Sequence, residues 1–196
     1  VVSIIVTTLV FELSGFILML PQFAEVFGSL YSFWLAVFHS VSAFNNAGFR
    51  LYADSMVSYV RSPLMIGAVS GLVIFGGIGY QVIMDGFHWL RDRLRGRRGR
   101  SLFSLHFKIV VAMTVALLIV GTLAIFATEF DNPNTLGNLS LSNKVLAAWF
   151  QSVITRTAGF NSIDIGAMEN VTLFIAIALM AIGASPGSTG VGMKTT

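Results

Sequence analysis

The sequence predicts an all-α membrane protein made of tandem, parallel span–pore-helix–span units, and three observations carry this prediction. First, 55% of the 196 residues are hydrophobic and only 11% are charged, whereas soluble domains are about 45–50% apolar and about 25% charged. Second, four apolar segments approach the length of about 20 residues that crosses a bilayer. Third, two shorter apolar stretches lie between them, and each ends in Ala-Gly-Phe. This composition excludes a disordered chain, a nucleic-acid-binding domain and an ordinary cytosolic enzyme.

The four candidate spans are residues 2–20, 64–84, 109–127 and 171–184. Pro21 is expected to end the first, which contains Glu12, whereas the second and third carry no charge. The fourth runs into Ser185-Pro186-Gly187-Ser188-Thr189-Gly190, which an ordinary helix would not tolerate without help. The chain starts without Met inside an apolar run, and we expect it to be a piece of a longer protein. With no cysteine, disulfides, thiolate chemistry and zinc–cysteine sites are excluded.

Two short apolar stretches, residues 30–44 and 145–155, are candidate half-membrane helices. The words that follow them, Asn-Ala-Gly-Phe at Gly48 and Thr-Ala-Gly-Phe at Gly159, lie about 111 residues apart. Phe38-His39-Ser40-Val41 corresponds to Phe150-Gln151-Ser152-Val153, with a one-residue slip before Ala-Gly-Phe. Gly76-Gly77-Ile78-Gly79 corresponds to Gly187-Ser188-Thr189-Gly190. The chain is therefore predicted to be an internal duplication.

The predicted boundaries are a unit at residues 1–90, an Arg-rich loop at 91–106 and a second unit at 107–196, truncated in its last helix. We name them the N-terminal and C-terminal units. The loop holds half of the 12 Lys and Arg residues, which places it in the cytoplasm by the positive-inside rule; a lipid or partner site there is the alternative. Both Ala-Gly-Phe loops then open to the outside.

The loop after each half-helix is the candidate functional element. Non-helical backbone at membrane depth is tolerated only where protein buries it or water wets it. Gly48 and Gly159 allow conformations in which consecutive carbonyls point toward an axis, and rings of carbonyls select potassium in known filters. The half-helices would aim their partially negative C-terminal ends at the same axis. A tight turn or close packing explains either glycine alone, but the duplication favours a cation pore, for which a fourfold ring needs two further units.

The same residues carry a family resemblance. The run from Phe38 to Phe49 resembles the second pore loop of the Trk/Ktr/HKT superfamily of potassium transporters, and the run from Gln151 to Asn161 resembles the third. The stretch from Gly183 to Thr196 resembles the last helix of the third unit and is nearest to the KtrB branch. The resemblance covers essentially the whole chain.

The resemblance implies a parent with four units around one pore, of which this chain would be the second and third. The implied selectivity filter is Asn45, Asn46, Ala47, Gly48, Phe49, Thr157, Ala158, Gly159 and Phe160. Potassium would be bound by the backbone carbonyls of Asn46, Ala47, Gly48, Thr157, Ala158 and Gly159. The implied gating loop is Ala184, Ser185, Pro186, Gly187, Ser188, Thr189 and Gly190.

The implied function is potassium transport across the plasma membrane, without a catalysed reaction or an organic cofactor, and with K⁺ as the transported ion and Na⁺ as an activator. The implied partners are membrane lipid, the two remaining units, a second copy in a homodimer and a cytoplasmic nucleotide-binding ring; nucleic acid is not one. Val191 departs from the small residue usual there, and its β-branch is stiffer.

Several residues have competing interpretations. Arg156, one residue before a filter word, bonds carbonyls or an acid behind the filter, or else tunes ion affinity. Glu12 is a functional intramembrane acid or lies near a wetted or packed surface. His39 is expected to be a packed residue rather than a metal ligand. The 187–195 stretch lacks the consecutive Gly-Lys-Thr of a P-loop, and Gly76–Gly79 is interpreted as close helix packing.

Two other functional classes remain open. A secondary transporter of another cation or small solute would have inverted repeats, which need an odd number of spans per unit; two spans per unit favour the channel-like interpretation. An accessory membrane scaffold would explain the spans but not the duplicated filter words.

Overall fold

The computed structural model describes residues 2–51, 56–96, 103–156, 158–182 and 185–190, and every regular element in these ranges is helical. Seven α helices follow one another in the described part of the chain, with short 3₁₀ turns at Val57–Tyr59 and Ile165–Ala167. The helices are α1 (Val2–Phe27), α2 (Ser29–Phe44), α3 (Pro63–Ile78), α4 (Tyr80–Leu94), α5 (Leu105–Glu129), α6 (Leu141–Ile154) and α7 (Asn170–Ala181).

Helices α1 and α5 are long and apolar enough to cross a membrane, as the sequence predicts for these two spans. The expected end of the first span at Pro21 is wrong, because α1 continues through this proline to Phe27. Proline removes one backbone donor, and membrane helices accept this loss where neighbouring groups satisfy the freed carbonyl. Much of the apolar surface of α1 faces outward, including Val10 and Leu13, as suits a lipid-facing helix.

Residues 64–84, which the sequence predicts to be one span, form a pair of helices with a sharp bend between them. The helix breaks at Gly79, where φ is +94°, and the axes of α3 and α4 differ by 102°. Glycine reaches this backbone region at low cost. Beyond the bend, the backbone N–H of Tyr80 donates to the Gly187 carbonyl at 3.4 Å. The bend is thus stabilised by a chain segment more than 100 residues away.

Two other boundaries differ from the expectation. Helix α4 extends into the Arg-rich segment and carries Arg91 and Arg93 in its last turn. Cationic side chains at this place stabilise the helix, because its C-terminus is partially negative. The predicted fourth span contains the short apolar helix α7, which ends at Ala181 and is not long enough by itself to cross a membrane. Gly183 and Ala184 lie outside the described residues.

Each half-length helix packs against the long helix before it through the same contact. In the N-terminal unit the Ser40 hydroxyl donates to the Glu12 carbonyl at 2.5 Å, and Gly15, one turn along α1, leaves room for this hydroxyl. In the C-terminal unit the Ser152 hydroxyl donates to the Leu118 carbonyl at 3.0 Å, and Gly121 leaves the matching space. The two halves therefore repeat in contacts as well as in sequence.

The main hydrophobic core joins the two halves of the chain. It includes Met19 and Phe23 of α1, Leu35 of α2, Val69 of α3 and Phe150 of α6. A smaller core packs the end of α5 against α6 through Ile125, Ala147 and neighbouring residues. The joint core holds the C-terminal ends of α2 and α6 close together, which positions the loops that follow them.

Candidate functional site

The loop after α2 contains two residues with a left-handed backbone. Asn46 has a φ of +52° and Gly48 has a φ of +69°, and asparagine tolerates the left-handed region better than most residues. The Ala47 N–H donates to the Ser42 carbonyl at 2.9 Å. The Ser42 hydroxyl donates to the Phe49 carbonyl, also at 2.9 Å, which ties the far side of the loop to its helix.

The loop after α6 is one residue tighter. The Ala158 N–H donates to the Ile154 carbonyl at 3.0 Å, four residues back instead of the five that separate Ala47 and Ser42. This difference locates the one-residue slip between the two repeats. Gly159 has a φ of +76°, close to that of Gly48. Thr157 lies outside the described residues.

The two loops meet at their glycines. A Cβ atom added to Gly48 would lie 2.7 Å from the Gly159 Cα and 2.5 Å from the Ala158 carbonyl oxygen. A Cβ added to Gly159 would lie 2.9 Å from the Gly48 Cα. Both positions require glycine for two reasons. The backbone is left-handed there, and the opposing loop occupies the space that a side chain would need. Residues separated by 111 positions thus form one backbone cluster.

The predicted gating loop lies against the N-terminal unit at the α3–α4 bend. The Ser185 N–H donates to the Gly77 carbonyl and the Thr189 N–H to the Gly76 carbonyl, both at 3.2 Å. Gly79 faces the backbone of this loop, since a Cβ there would lie 3.1 Å from the Pro186 carbonyl oxygen. The close helix packing predicted at Gly76–Gly79 is found at Gly76, which lies against the end of α2, whereas Gly79 lies against the 185–190 loop.

Side chains join the 185–190 loop to the end of α2. The Asn46 side-chain amide donates to the Thr189 hydroxyl at 2.8 Å, and this hydroxyl donates to the Phe44 carbonyl at 3.1 Å. Ser188 bonds within the loop, to the Ser185 carbonyl at 2.6 Å, and Gly187 has a φ of +72°. The structure therefore brings together the predicted filter word of one unit and the predicted gate of the other.

The two charged residues with open interpretations have different surroundings. Glu12 is partly buried, and its carboxylate accepts from the Asn45 amide at 2.9 Å. Arg156 is 9% exposed, and its Nε has no hydrogen-bond partner in the described part of the chain. The guanidinium borders a small cavity that Asn46 and Leu118 also line. The acid or carbonyl expected to bond Arg156 is not found among the described residues.

His39 is a packed residue, in agreement with the sequence interpretation. Its Nδ1 bonds with the Leu35 carbonyl at 2.8 Å, and its ring lies 5.3 Å from that of Phe23. Within the described ranges no group of three or more His, Cys, Asp or Glu side chains could hold a metal ion.

Two polar contacts were missed at the sequence level. Arg50 and Asn161 directly follow the two Gly-Phe words, and the Arg50 Nη1 donates to the Asn161 Oδ1 at 2.7 Å; their equal place in the repeat was the available signal. Glu129 is fully buried at the end of α5. Its carboxylate accepts from the Thr135 hydroxyl at 2.6 Å, the Asn132 amide at 2.8 Å and the Glu169 N–H at 2.9 Å. No repeat or sequence motif identified Glu129 as a candidate for a structural or functional role.

Comparison with known proteins shows where this chain belongs. The TrkH family model, described as "Cation transport protein", matches residues 1–196. The chain is 43% identical over 195 residues to Ktr system potassium uptake protein B of Vibrio alginolyticus, covering 99% of this chain and 41% of that protein. It is 38% identical over 185 residues to the protein of the same name from Bacillus subtilis, covering 94% of this chain and 40% of the relative.

A third relative and a solved structure agree with this assignment. Potassium/sodium uptake protein NtpJ of Enterococcus hirae is 36% identical over 187 residues, which cover 95% of this chain and 40% of the relative. The potassium transporter TrkH from Vibrio parahaemolyticus matches in fold with a TM-score of 0.65 at 22% identity, over 93% of this chain and 36% of that one. The chain spans about two fifths of the length of the curated relatives it matches. It is a multi-pass protein of the plasma membrane and belongs to the TrkH cation transport family.

Proposed function

We propose that this chain supplies two of the four units of a potassium pathway, in which backbone carbonyls replace the hydration shell of the ion. The observation that carries the proposal is the contact between Gly48 and Gly159, two left-handed glycines from equivalent loops. We infer from this contact that two strips of carbonyls line one axis, because stacked carbonyls are how potassium filters bind their ion. The relatives named as potassium uptake proteins support the choice of ion.

The filter residues and the ion ligands are the ones that the resemblance implies. Asn45 to Phe49 form one side and Thr157 to Phe160 form the other, with the carbonyls of residues 46–48 and 157–159 binding K⁺. Each half-length helix ends just before its loop, so that its partially negative C-terminus favours a cation there. The 185–190 loop, together with Ala184, gates the pathway from below. The two units missing from the ring, a homodimer and a cytoplasmic nucleotide-binding ring complete the proposed assembly.

The test is tracer uptake by a complete four-unit protein that contains this sequence, reconstituted in liposomes. We expect ⁸⁶Rb⁺ uptake that excess K⁺ suppresses and Na⁺ does not. Gly48→Ala and Gly159→Ala are expected to reduce the preference for Rb⁺ over Na⁺ at least about tenfold, because each added methyl displaces the opposing loop. Gly71→Ala is the matched control, since α3 has open space there and alanine suits a helix.

Two outcomes would overturn this proposal. Folded Gly48→Ala and Gly159→Ala variants that keep the Rb⁺ preference would remove these glycines from the filter. An uptake that Na⁺ suppresses as well as K⁺ does would contradict the choice of ion. Varying the Na⁺ concentration at constant Rb⁺ tests the proposed sodium dependence separately, since an activator raises uptake where a competitor lowers it.

A further inference from the structure

We propose that this protein holds one anionic phospholipid of the cytoplasmic leaflet, with its acyl chains in an apolar groove between α1, α4 and α5 and its phosphate at Arg91 and Arg95. The site lies apart from the filter residues and the 185–190 loop, and it uses the Arg-rich segment, to which the proposed function assigns no ligand. Two features together define the ligand, namely a large apolar groove and cationic side chains at the end of it.

The groove has a volume of about 840 Å³ and lies where α1 and α5 begin. Its lining includes Val6 of α1, Phe87 of α4 and Phe107 of α5. Thr7, a polar residue in the lining, donates its hydroxyl to the Ser3 carbonyl at 2.9 Å. An acyl chain can therefore fill the groove without depriving this hydroxyl of its hydrogen bond.

Helix α4 is amphipathic and forms one side of the groove. Its axis differs from that of α3 by 102°, so that it runs almost at right angles to the helix before it. Its apolar side chains recur at spacings of four, three and four residues, at Ile83, Phe87, Leu90 and Leu94. Its polar side chains recur with the same spacings on the opposite face, at Gln81, Asp85, His88 and Asp92. A helix with this pattern lies along a membrane surface with its apolar face toward the acyl chains.

Two arginines lie at the end of the groove. A smaller hollow of about 220 Å³ continues it, since Phe87 and Leu90 line both. Arg91 and Arg95 also line the hollow, and both are exposed and one helical turn apart. Arg91 has an ion pair with its neighbour Asp92 at 3.9 Å, a surface pair of the kind that contributes little. The hollow thus offers two guanidinium groups, whose planar array of donors suits phosphate oxygens.

The location of these parts favours a phospholipid over a soluble anion. The Arg-rich segment is the part of the chain that the positive-inside rule assigns to the cytoplasmic side, where anionic lipids give the leaflet its negative surface potential. Arg93, on the other side of the apolar face, lies 5.4 Å over the Trp89 ring. Aromatic rings and long cationic side chains are typical of the membrane–water interface. The arginines therefore lie at the depth of lipid headgroups, and the groove leads from them toward the acyl chains.

The test is photolabelling of the complete four-unit protein in phosphatidylcholine liposomes. The two probes are phosphatidylglycerol and phosphatidylcholine with the same diazirine-bearing acyl chain, and peptide mass spectrometry measures the label on the α1 and α5 residues of the groove. We expect phosphatidylglycerol to label these residues about 25-fold more than phosphatidylcholine does, since each arginine near a membrane surface favours an anionic lipid about fivefold.

Variants of the two arginines test the headgroup site. Arg91→Gln and Arg95→Gln should each lower the labelling ratio about fivefold, and the double variant should label equally with both probes. Arg61→Gln is the matched control and should keep the wild-type ratio. This exposed arginine precedes α3 at the end opposite the bend, so that the substitution removes the same charge far from the groove.

A second pair of variants tests the groove itself. Gly86 lines the groove, and a Cβ atom added there would have the Phe107 ring as its neighbour, at 3.8 Å. Gly86→Leu therefore places a larger side chain in the space of the acyl chains, and we expect it to reduce labelling by both probes about tenfold. Gly86→Ala adds one methyl group at an ordinary contact distance and should retain most of the label.

Each of three results would overturn the proposal. Absence of label from the groove with both probes would mean that another part of the complete protein fills it. An unchanged labelling ratio in the double arginine variant would remove the headgroup from Arg91 and Arg95. Unchanged labelling in Gly86→Leu would remove the acyl chains from the groove. The assay does not use ion transport, so that the lipid site and the proposed function fail independently.

Discussion

The two Ala-Gly-Phe loops have nearly the same sequence but different surroundings. Phe160 is 2% exposed and belongs to the core between the units, with its ring 6.4 Å from that of His39. Phe49, its counterpart, is 69% exposed beside an apolar groove on α2. Residues of the N-terminal unit cover Phe160, whereas no residues in the described part of the chain cover Phe49 in the same way. The same sequence word is therefore buried only where another unit stands against it.

The polar residues before the loops differ in a second way. In the N-terminal unit, Glu12 accepts a hydrogen bond from Asn45. At the equivalent positions the C-terminal unit has Leu118 and Arg156, which line one small cavity without an acid. The first pair is satisfied within its own unit, whereas the second leaves a buried guanidinium bordering the space beside Asn46. The two units thus share the backbone arrangement of the loop but differ in the charged side chain beside it, which is Glu12 in one unit and Arg156 in the other.

The largest expected effect concerns the two phenylalanines. In this 196-residue chain, Phe160→Ala should lower the free energy of unfolding by about 3–5 kcal/mol, while Phe49→Ala should change it by less than about 0.5 kcal/mol. Denaturant unfolding in detergent micelles, followed by tryptophan fluorescence, measures both. In a complete four-unit protein the cost of Phe49→Ala should rise to that of Phe160→Ala. Equal losses of unfolding free energy for the two variants of the 196-residue chain would contradict the difference in burial.

An intermediate effect is expected for the charged pair positions. Arg156→Met should raise the free energy of unfolding by about 1–3 kcal/mol, because a buried guanidinium whose Nε has no hydrogen-bond partner in the described part of the chain is replaced by an apolar chain of similar length. Glu12→Met should lower it by about 1 kcal/mol, since Asn45 loses an acceptor but keeps its bond to the Val41 carbonyl. The same unfolding assay applies. Destabilisation by Arg156→Met would mean that the guanidinium has a partner in the intact protein.

The smallest effect is expected at the outer rim, where the two units are joined by Arg50 and Asn161. Their hydrogen bond is exposed, so its coupling energy should be only about 0.2–1 kcal/mol. A double-mutant cycle with Arg50→Met and Asn161→Ala isolates this term, because Asn161 also bonds with the Ile163 carbonyl. A coupling above about 2 kcal/mol would show that this contact, and not the glycine cluster, holds the loops together.

Much of the helical arrangement was predictable because its signals are local. Long apolar runs predicted α1 and α5, and the short runs before the Ala-Gly-Phe words predicted α2 and α6. Whether the helix continues or bends at Pro21 and at Gly79 could not be predicted from such local signals. Both residues weaken a helix, yet α1 continues through Pro21 and the next span bends at Gly79. The choice depends on whether a distant segment satisfies the freed backbone groups, as Gly187 does for Tyr80.

The candidate site shows the same division. Gly48, Gly159 and the 185–190 loop were identified from the duplication and the resemblance. The partners of Asn46 and the absence of a partner for the Arg156 Nε among the described residues were not, because a side-chain contact depends on the packing of helices that are far apart in the chain. Glu129 was missed for the same reason, since its hydrogen bonds converge from a turn and from the start of α7.

By itself, the sequence determined that this is a membrane protein, that its architecture is repeated and that a glycine follows each of the two half-length helices. These properties follow from composition, from the length of apolar runs and from spacing. Only the tertiary structure decided that the two glycines touch, that the last span of the N-terminal unit bends and that the 185–190 loop reaches the end of α2. Each of these contacts joins residues more than 100 positions apart, and their geometry is set by close packing between helices, which a local pattern does not encode.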